Sequence, residues 1–240
     1  MTTFRRMLAL AVGAALVAVL LACSAAEADT ITFDYTAGGQ DTSLVSYAPR
    51  NNYGSSTVLW QWNRPSREIQ SLIQFSDIFG NNPGEIPLGS TITNALLNVY
   101  IWNGSTAARK LYQLTTGWDA GNATWNSFGG GVTVANQTTG SPVASYTQSG
   151  TGWLSIDVTS SLQAWANGQA NYGWAIFSDF ANTNDWSGIY SMNSSVNFRS
   201  TLTVAYDSPV AGAPEPGTLL LLGSGLAGVL GWRARCRRKA

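Results

Sequence analysis

The sequence has 240 residues, 45 % of them hydrophobic and 11 % charged, with 13 Lys plus Arg against 13 Asp plus Glu. Such a composition buries a sizeable core and excludes a disordered chain. It contains no His, which excludes Ser/His/Asp triads, His general bases and most zinc or iron sites.

The balance of charge hides an asymmetry. Arg5, Arg6, Arg233, Arg235, Arg237, Arg238 and Lys239 make up 7 of the 13 cations, so residues 29–213 keep 6 cations against 11 acids. No nucleic-acid partner is expected of such a domain. The only cysteines, Cys23 and Cys236, lie in the terminal segments, which leaves the middle without a disulfide, a thiol nucleophile or a thiolate metal site.

Residues 1–28 read as a signal peptide: Arg5 and Arg6, an apolar run from Met7 to Ala22, and the small-residue ending Ala26-Glu27-Ala28, which predicts cleavage by signal peptidase before Asp29. Leu20-Leu21-Ala22-Cys23 also resembles a lipoprotein box, in which Cys23 would be acylated.

Residues 29–208 carry short apolar-alternating runs, among them ITFDYTA, TVLWQW, QSLIQF, TITNALLNVYIW, KLYQL, WLSIDV, YGWAIFS and STLTVAY, separated by Gly, Asn, Ser and Pro clusters. These predict an all-β fold, a sandwich of antiparallel strands. In the longest run Ala95, Leu97, Val99 and Ile101 share one face, and Leu96, Asn98, Tyr100 and Trp102 the other. Turns are expected at GNNPGEIPLGS, WNGSTA and FGGG. One helix is expected, with an N-cap in Thr159-Ser160-Ser161, an apolar stripe of Leu162 with Trp165 or Ala166, and Gly168 as its stop.

The stretches YAPRNNYGSST (47–57), SLIQF (71–75), WDAGNATWN (118–126), IDVTSSLQAW (156–165), NYGWAIFS (171–178) and RSTLTVAY (199–206) follow the order and spacing of DNRLRE-type domains, which are similar to carbohydrate-binding modules found beside alginate-degrading enzymes. The resemblance implies a jelly-roll β-sandwich that binds acidic polysaccharide without catalysis. The chain departs from that pattern at Gln70 and Gln74, where the family commonly has basic residues, and at Ser200, where a Pro is usual. The acidic balance of the domain also disfavours a uronate polymer and leaves a neutral glycan open.

A sugar surface needs aromatic platforms beside amides, carboxylates or guanidiniums. Trp60 and Trp62, two apart on a strand, share one face, followed by Arg64 and Arg67 in the next loop. Alternation alone reads equally as Val58, Trp60 and Trp62 pointing inward, whereas the resemblance places Leu59 inside and both indoles outside. Trp186, in a polar loop, and Tyr190, on the next strand, complete the candidate set. Trp118, Trp125, Trp165 and Trp174 read as core residues with internally bonded N–H groups. Arg109 and Lys110 read as a solubilising strand-edge pair.

The run Asp179, Asn182, Asn184, Asp185 offers oxygen ligands for Ca²⁺ at a spacing that fits no defined loop, so a solvated turn is the default; no other cofactor is expected. Glu68, Asp77, Glu85 and Asp119 are the pool from which a glycosidase would draw its two carboxylates, and no spacing singles out a pair. Sequons at Asn103, Asn122, Asn136 and Asn193 predict exposed turns.

The chain ends in a linker (209–217) holding Pro214-Glu215-Pro216, an apolar segment (218–232) that reads as a transmembrane-like helix, and a basic cytoplasmic tail (233–240) with Arg233, Arg235, Arg237, Arg238 and Lys239. This arrangement resembles the PEP-CTERM sorting signal, which implies processing by an exosortase, transient anchoring in the inner membrane, and delivery to the cell surface or extracellular matrix. The expected function is thus an exported, non-catalytic polysaccharide-binding protein. The rival readings are a matrix protein that adheres to other proteins, and a polysaccharide lyase or glycosidase.

Overall fold

A computed structural model of the chain describes residues 28–178 and 186–209, and its strands all lie in the unit Met1–Ser208. In chain order these are β1 (Asp29–Phe33), β2 (Gly39–Val45), β3 (Val58–Arg64), β4 (Arg67–Phe75), β5 (Thr91–Asn103), β6 (Ser105–Leu114), β7 (Thr138–Gln148), β8 (Gly152–Asp157), β9 (Trp174–Ser178), β10 (Ser187–Tyr190) and β11 (Thr201–Asp207). Helix α1 (Val134–Gln137) precedes β7, and α2 (Thr159–Ala166) follows β8. Cys23, Asp179, Asn182, Asn184 and Asp185, and the chain from 210 onward, lie outside the described residues.

Every strand pairing is antiparallel, and the strands form the two layers of a β-sandwich. In the first layer β1 pairs with β11 and β11 with the first half of β5, while β8 lies along the other side of β5. Beyond the end of β11, β10 takes its place beside β5. The second layer runs β2, β4, β9, β6, β7. β3 joins the layers: Val58 to Gln61 pair with β10, and Trp62 to Arg64 pair with β4.

The period-two alternation of β5 forms as the residues dictate. Ala95, Leu97, Val99 and Ile101 are buried in the main core, with Leu202 from the neighbouring β11 and Ile73, Leu111 and Ile176 from the facing layer, while Leu96, Asn98, Tyr100 and Trp102 are half-buried on the outer face. α2 closes one end of this core with Leu162, Trp165 and Ala166. Its first turn differs from expectation: the N-cap position is Val158 and no side chain caps it. Thr159 instead accepts a hydrogen bond on Oγ1 from the Ala95 amide at 2.9 Å, tying the helix to β5. Gly168, at φ 95, follows the helix as its stop.

In the second layer β4 and β9 are buried on both faces. Leu72, Ala175 and Leu114 carry a smaller cluster with Ala123, Phe128 and Val132 from the long segment between β6 and β7, against which Trp118, Trp125 and Phe177 pack. The expected core tryptophans therefore divide. Trp165 and Trp174 are fully buried with ring centroids 4.9 Å apart, whereas Trp118 and Trp125 are half-buried. The Nε1 groups of Trp174 and Trp118 are bonded to Ser161 Oγ and the Tyr172 carbonyl, but that of Trp165 is buried with no hydrogen-bond partner among the described residues.

Arg109 and Lys110 do not form an edge pair. β6 lies between β7 and β9, and Arg109 is 1 % exposed. Gln70 and Gln74 are buried as well and fasten loops: Gln70 exchanges hydrogen bonds with the backbone of Val132, and Gln74 Nε2 donates to the Asn171 carbonyl. Of the sequons, Asn122, Asn136 and Asn193 are exposed, while Asn103 is half-buried at the end of β5.

Asp41 on β2 is buried and holds the turn after β10, accepting from Ser191 Oγ and the Met192 amide, each at 2.6 Å. Burial pushes its carboxyl up to about 6 against the opposing pull of these two bonds. A raised carboxyl stabilises the fold fully below its unfolded value and loses that contribution as pH rises through the folded one. Urea unfolding should thus show Asp41 removing about 3 kcal/mol of stability between about pH 4 and pH 7, a slope that Asp41→Asn abolishes. Identical pH profiles for the two proteins would contradict this.

Candidate functional site

The site grows from β3. Leu59 and Gln61 are fully buried, and Val58, Trp60 and Trp62 are half-buried on the opposite face, so the inward reading of the tryptophans does not form. A polar side chain inside a core needs partners. Gln61 Nε2 donates to Ser71 Oγ at 2.6 Å, and Gln61 Oε1 accepts from Ser187 Oγ at 2.8 Å. Ser71 Oγ donates in turn to the Trp60 carbonyl at 2.9 Å, and Arg109 Nε donates to Ser187 Oγ at 2.8 Å. A buried polar chain thus backs the strand that carries Trp60.

On the outward side Trp60, Trp62 and Trp186 line one cleft of about 360 Å³. β2 contributes Ser43 and Val45 to its wall, the following loop Tyr47, Tyr53 and Ser56, and β4 Ile69. Ser43 Oγ accepts from the Trp60 amide at 3.1 Å, which fixes the strand against β2. Trp186 is half-buried, its ring 4.7 Å from that of Trp60.

Arg64 and Arg67 do not sit in a loop. They are the final cross-strand pair of the β3–β4 hairpin, both exposed, with Arg64 6.0 Å from the Trp62 ring and Arg67 5.4 Å from the Tyr47 ring. Tyr190 is not in the cleft. Its ring stacks on Phe198 at 5.0 Å and lies 5.7 Å from Tyr100, on the outer face of the first layer.

That face holds rings the sequence did not single out as sites. Trp102 stands perpendicular to Trp60 at 4.8 Å and lies 5.4 Å from Trp186. Tyr100 meets Trp153 at 5.5 Å and Phe198 at 4.7 Å. The one available signal was the outward set of β5, which includes both Tyr100 and Trp102; the pairing of Tyr100 with Trp153 is a long-range register that no local pattern reveals.

The carboxylate pool is engaged elsewhere. Glu68 Oε1 accepts from Gln70, Asp77 from Ser76 and Glu85 from Asn82, while Asp119 lines a separate hollow with Trp118 and Asn122. None of them lines the tryptophan cleft. Among the described residues no three Asp, Glu, Cys or His side chains cluster as a metal site.

Gly188 permits the ring arrangement. It pairs with Trp60 on one side and Asn103 on the other, and a Cβ there would overlap the indole edge of Trp102. Gly188→Ala should therefore expel the Trp102 ring and reduce the aromatic circular dichroism of the tryptophan cluster while the β-sheet signal persists. An unchanged aromatic spectrum would contradict the packing.

Comparison with known proteins places this geometry in a family. Residues 32–206 match the model of carbohydrate-binding module family 96, and residues 213–238 match the PEP-CTERM protein-sorting motif. The chain is also similar to tRNA3(Ser)-specific nuclease WapA of Bacillus spizizenii, 25 % identical over 186 residues, which cover 73 % of this chain and 8 % of that protein. It is similar to tRNA nuclease WapA of Bacillus subtilis as well, 24 % identical over 185 residues, covering 72 % of this chain and 8 % of that protein. The chain thus spans less than a tenth of the length of these relatives. The sorting motif implies export to the cell envelope or surface. Among the described residues no helix is long and apolar enough to cross a membrane, and the apolar segment 218–232 lies outside them. The match spans nearly the whole sandwich, and the chain belongs to carbohydrate-binding module family 96.

Proposed function

We propose that this chain is an exported, non-catalytic polysaccharide-binding protein of the cell surface or extracellular matrix, which takes hold of a glycan in the cleft of Trp60, Trp62 and Trp186. The observation that carries this reading is the convergence of three indoles on one concave, partly apolar cleft within a carbohydrate-binding family fold. Sugar rings present C–H faces that stack on indoles and hydroxyls that need donors and acceptors. Ser43, Ser56, Tyr47 and Tyr53 supply polar groups beside the rings, and Arg64 and Arg67 lie at the end of the same hairpin. The chain has no His, and no carboxylate pair to break a glycosidic bond stands among the described residues that line the cleft.

The terminal segments supply delivery. Signal peptidase acts before Asp29, the apolar segment 218–232 holds the chain transiently in the inner membrane, and an exosortase recognises Pro214-Glu215-Pro216 and the basic cluster from Arg233 to Lys239. This order of events draws support from the match to the sorting motif.

Affinity electrophoresis of the full chain through gels containing single polysaccharides tests the binding role. Retention by at least one polymer is expected. Trp60→Ala and Trp62→Ala should each weaken it by roughly 5- to 50-fold, an order of magnitude in keeping with the loss of a stacked, largely desolvated aromatic anchor. Leu88→Ala, at an exposed turn position outside the cleft, should leave it unchanged. Full retention in both tryptophan variants, or release of reducing or unsaturated ends from the polymer, would refute the proposal.

A further inference from the structure

The cleft does not end the aromatic surface. From Trp60 the rings continue across the outer face of the first layer: Trp102 at 4.8 Å, then Tyr190 at 6.5 Å from Trp102, Tyr100 at 5.7 Å from Tyr190, and Trp153 at 5.5 Å from Tyr100. The strip crosses β3, β10, β5 and β8 in turn. At ~4.8 Å per strand it spans roughly 14 Å, enough for more than one sugar ring. Its far end is open to solvent, with Trp153 52 % exposed. A contiguous aromatic patch of this kind on a soluble domain marks a contact surface.

The chemistry of the strip is uncharged throughout. The next row of the same face consists of amides and hydroxyls that bond across strands: Ser155 Oγ donates to Asn98 Oδ1 at 2.6 Å, Asn98 Nδ2 donates to Thr203 Oγ1 at 3.2 Å, and Thr203 shares a hydrogen bond with Thr32 at 3.1 Å. Of the charged residues on the strands of this layer, Asp29, Asp157 and Asp207 lie away from the rings toward the other end of the sheet, and Arg64 ends β3 on the cleft side of the strip, paired with Arg67. Arg199, next to Phe198, is turned to the Tyr35 ring at 4.1 Å and donates through Nε to the Ser194 carbonyl. Beyond the cleft, where Arg64 and Arg67 lie, a polyanion laid on the strip would find no opposing guanidinium among the described residues, whereas a neutral chain meets flat rings bordered by hydroxyls and amides.

We propose that the strip from Trp60 through Trp102, Tyr190 and Tyr100 to Trp153 extends the binding surface beyond the cleft and accommodates an uncharged, extended polysaccharide lying lengthwise across the sheet. The proposal rests on the cleft reading and adds to it a ligand class and a direction. It makes affinity depend on chain length, because a short oligosaccharide fills the cleft alone while a polymer also covers the strip.

The test compares hydroxyethyl cellulose and galactomannan, as neutral polymers, with sodium alginate, and each polymer with its own short oligosaccharides, using the full chain. The expected result is retention by a neutral polymer and not by alginate. Trp153→Ala should weaken polymer binding by roughly two- to tenfold without changing oligosaccharide binding, and Trp153→Phe should restore most of it. Because Trp153 is largely exposed, the thermal midpoint of the variant reports that the fold is intact. Unaltered polymer binding in Trp153→Ala, or preference for alginate, overturns the strip while leaving the cleft standing if Trp60→Ala still weakens retention. No retention on any polymer defeats the cleft reading itself. Self-association removed by Trp153→Ala, with glycan binding unaffected, would make the face an interface between copies and likewise overturn the proposal.

Discussion

A buried amide fixes the rest. Gln61 sits in the core at a position where an unpartnered polar group would cost about 1–3 kcal/mol, and its two hydrogen bonds, to Ser71 on β4 and Ser187 on β10, reach both layers of the sandwich. β3 is the strand that passes from one layer to the other, so these bonds fasten the crossing point. A slip of one residue would bury both indoles, expose Leu59 and strand the hydroxyls of Ser71 and Ser187. Holding Gln61 inside is therefore what keeps Trp60 and Trp62 outside. Arg109, fully buried and donating to Ser187, extends the same lock into the second layer.

The two layers are finished differently, and this decides where a ligand can lie. The second layer has its outer face closed by the segment between β6 and β7, with Phe128 and Val132 packed onto Leu72 and Ala175 and with Gln70 pinning Val132. Among the described residues, the outer face of the first layer carries no comparable segment, only the turn whose Phe198 packs on Tyr100 and Tyr190. Its aromatic side chains pack against one another in tilted and perpendicular pairs, which buries part of each ring and leaves the remainder as a corrugated surface. Gly188 is part of this design, since the absence of a side chain lets Trp102 lie close beside Trp60.

Much of the sandwich was legible because its strands alternate strictly: β5 and β11 read directly, and the helix emerged from Leu162, Trp165 and Gly168. β3 was ambiguous because its inward residues include a glutamine, and only tertiary partners reveal that glutamine as a core residue. β2 and β7 are not legible in the sequence for related reasons. Asp41, Thr42 and Ser43 are buried polar residues that do not advertise a strand, and β7, with Gly140 and Pro142, is largely exposed and has the composition of a loop. The missing β7 had a further effect, since without it β6 looks like an edge and Arg109 like a solubilising charge. Trp60, Trp62 and Trp186 were found by their chemistry; Trp153 and Phe198 join the surface only through the fold.

Glycan binding at the cleft and along the strip requires that particular tryptophans meet solvent and that ligand covers them. Hydroxyl-radical footprinting of the full chain, read residue by residue by mass spectrometry in the presence and absence of a retained polysaccharide, measures both at once. Trp60, Trp62 and Trp153 should oxidise in the free protein and be protected in the complex, while Trp165 and Trp174, at 2 % and 0 % exposure, stay unreactive throughout. Silence at Trp60 and Trp62 in the free protein, or protection confined to other parts of the sandwich, would contradict it.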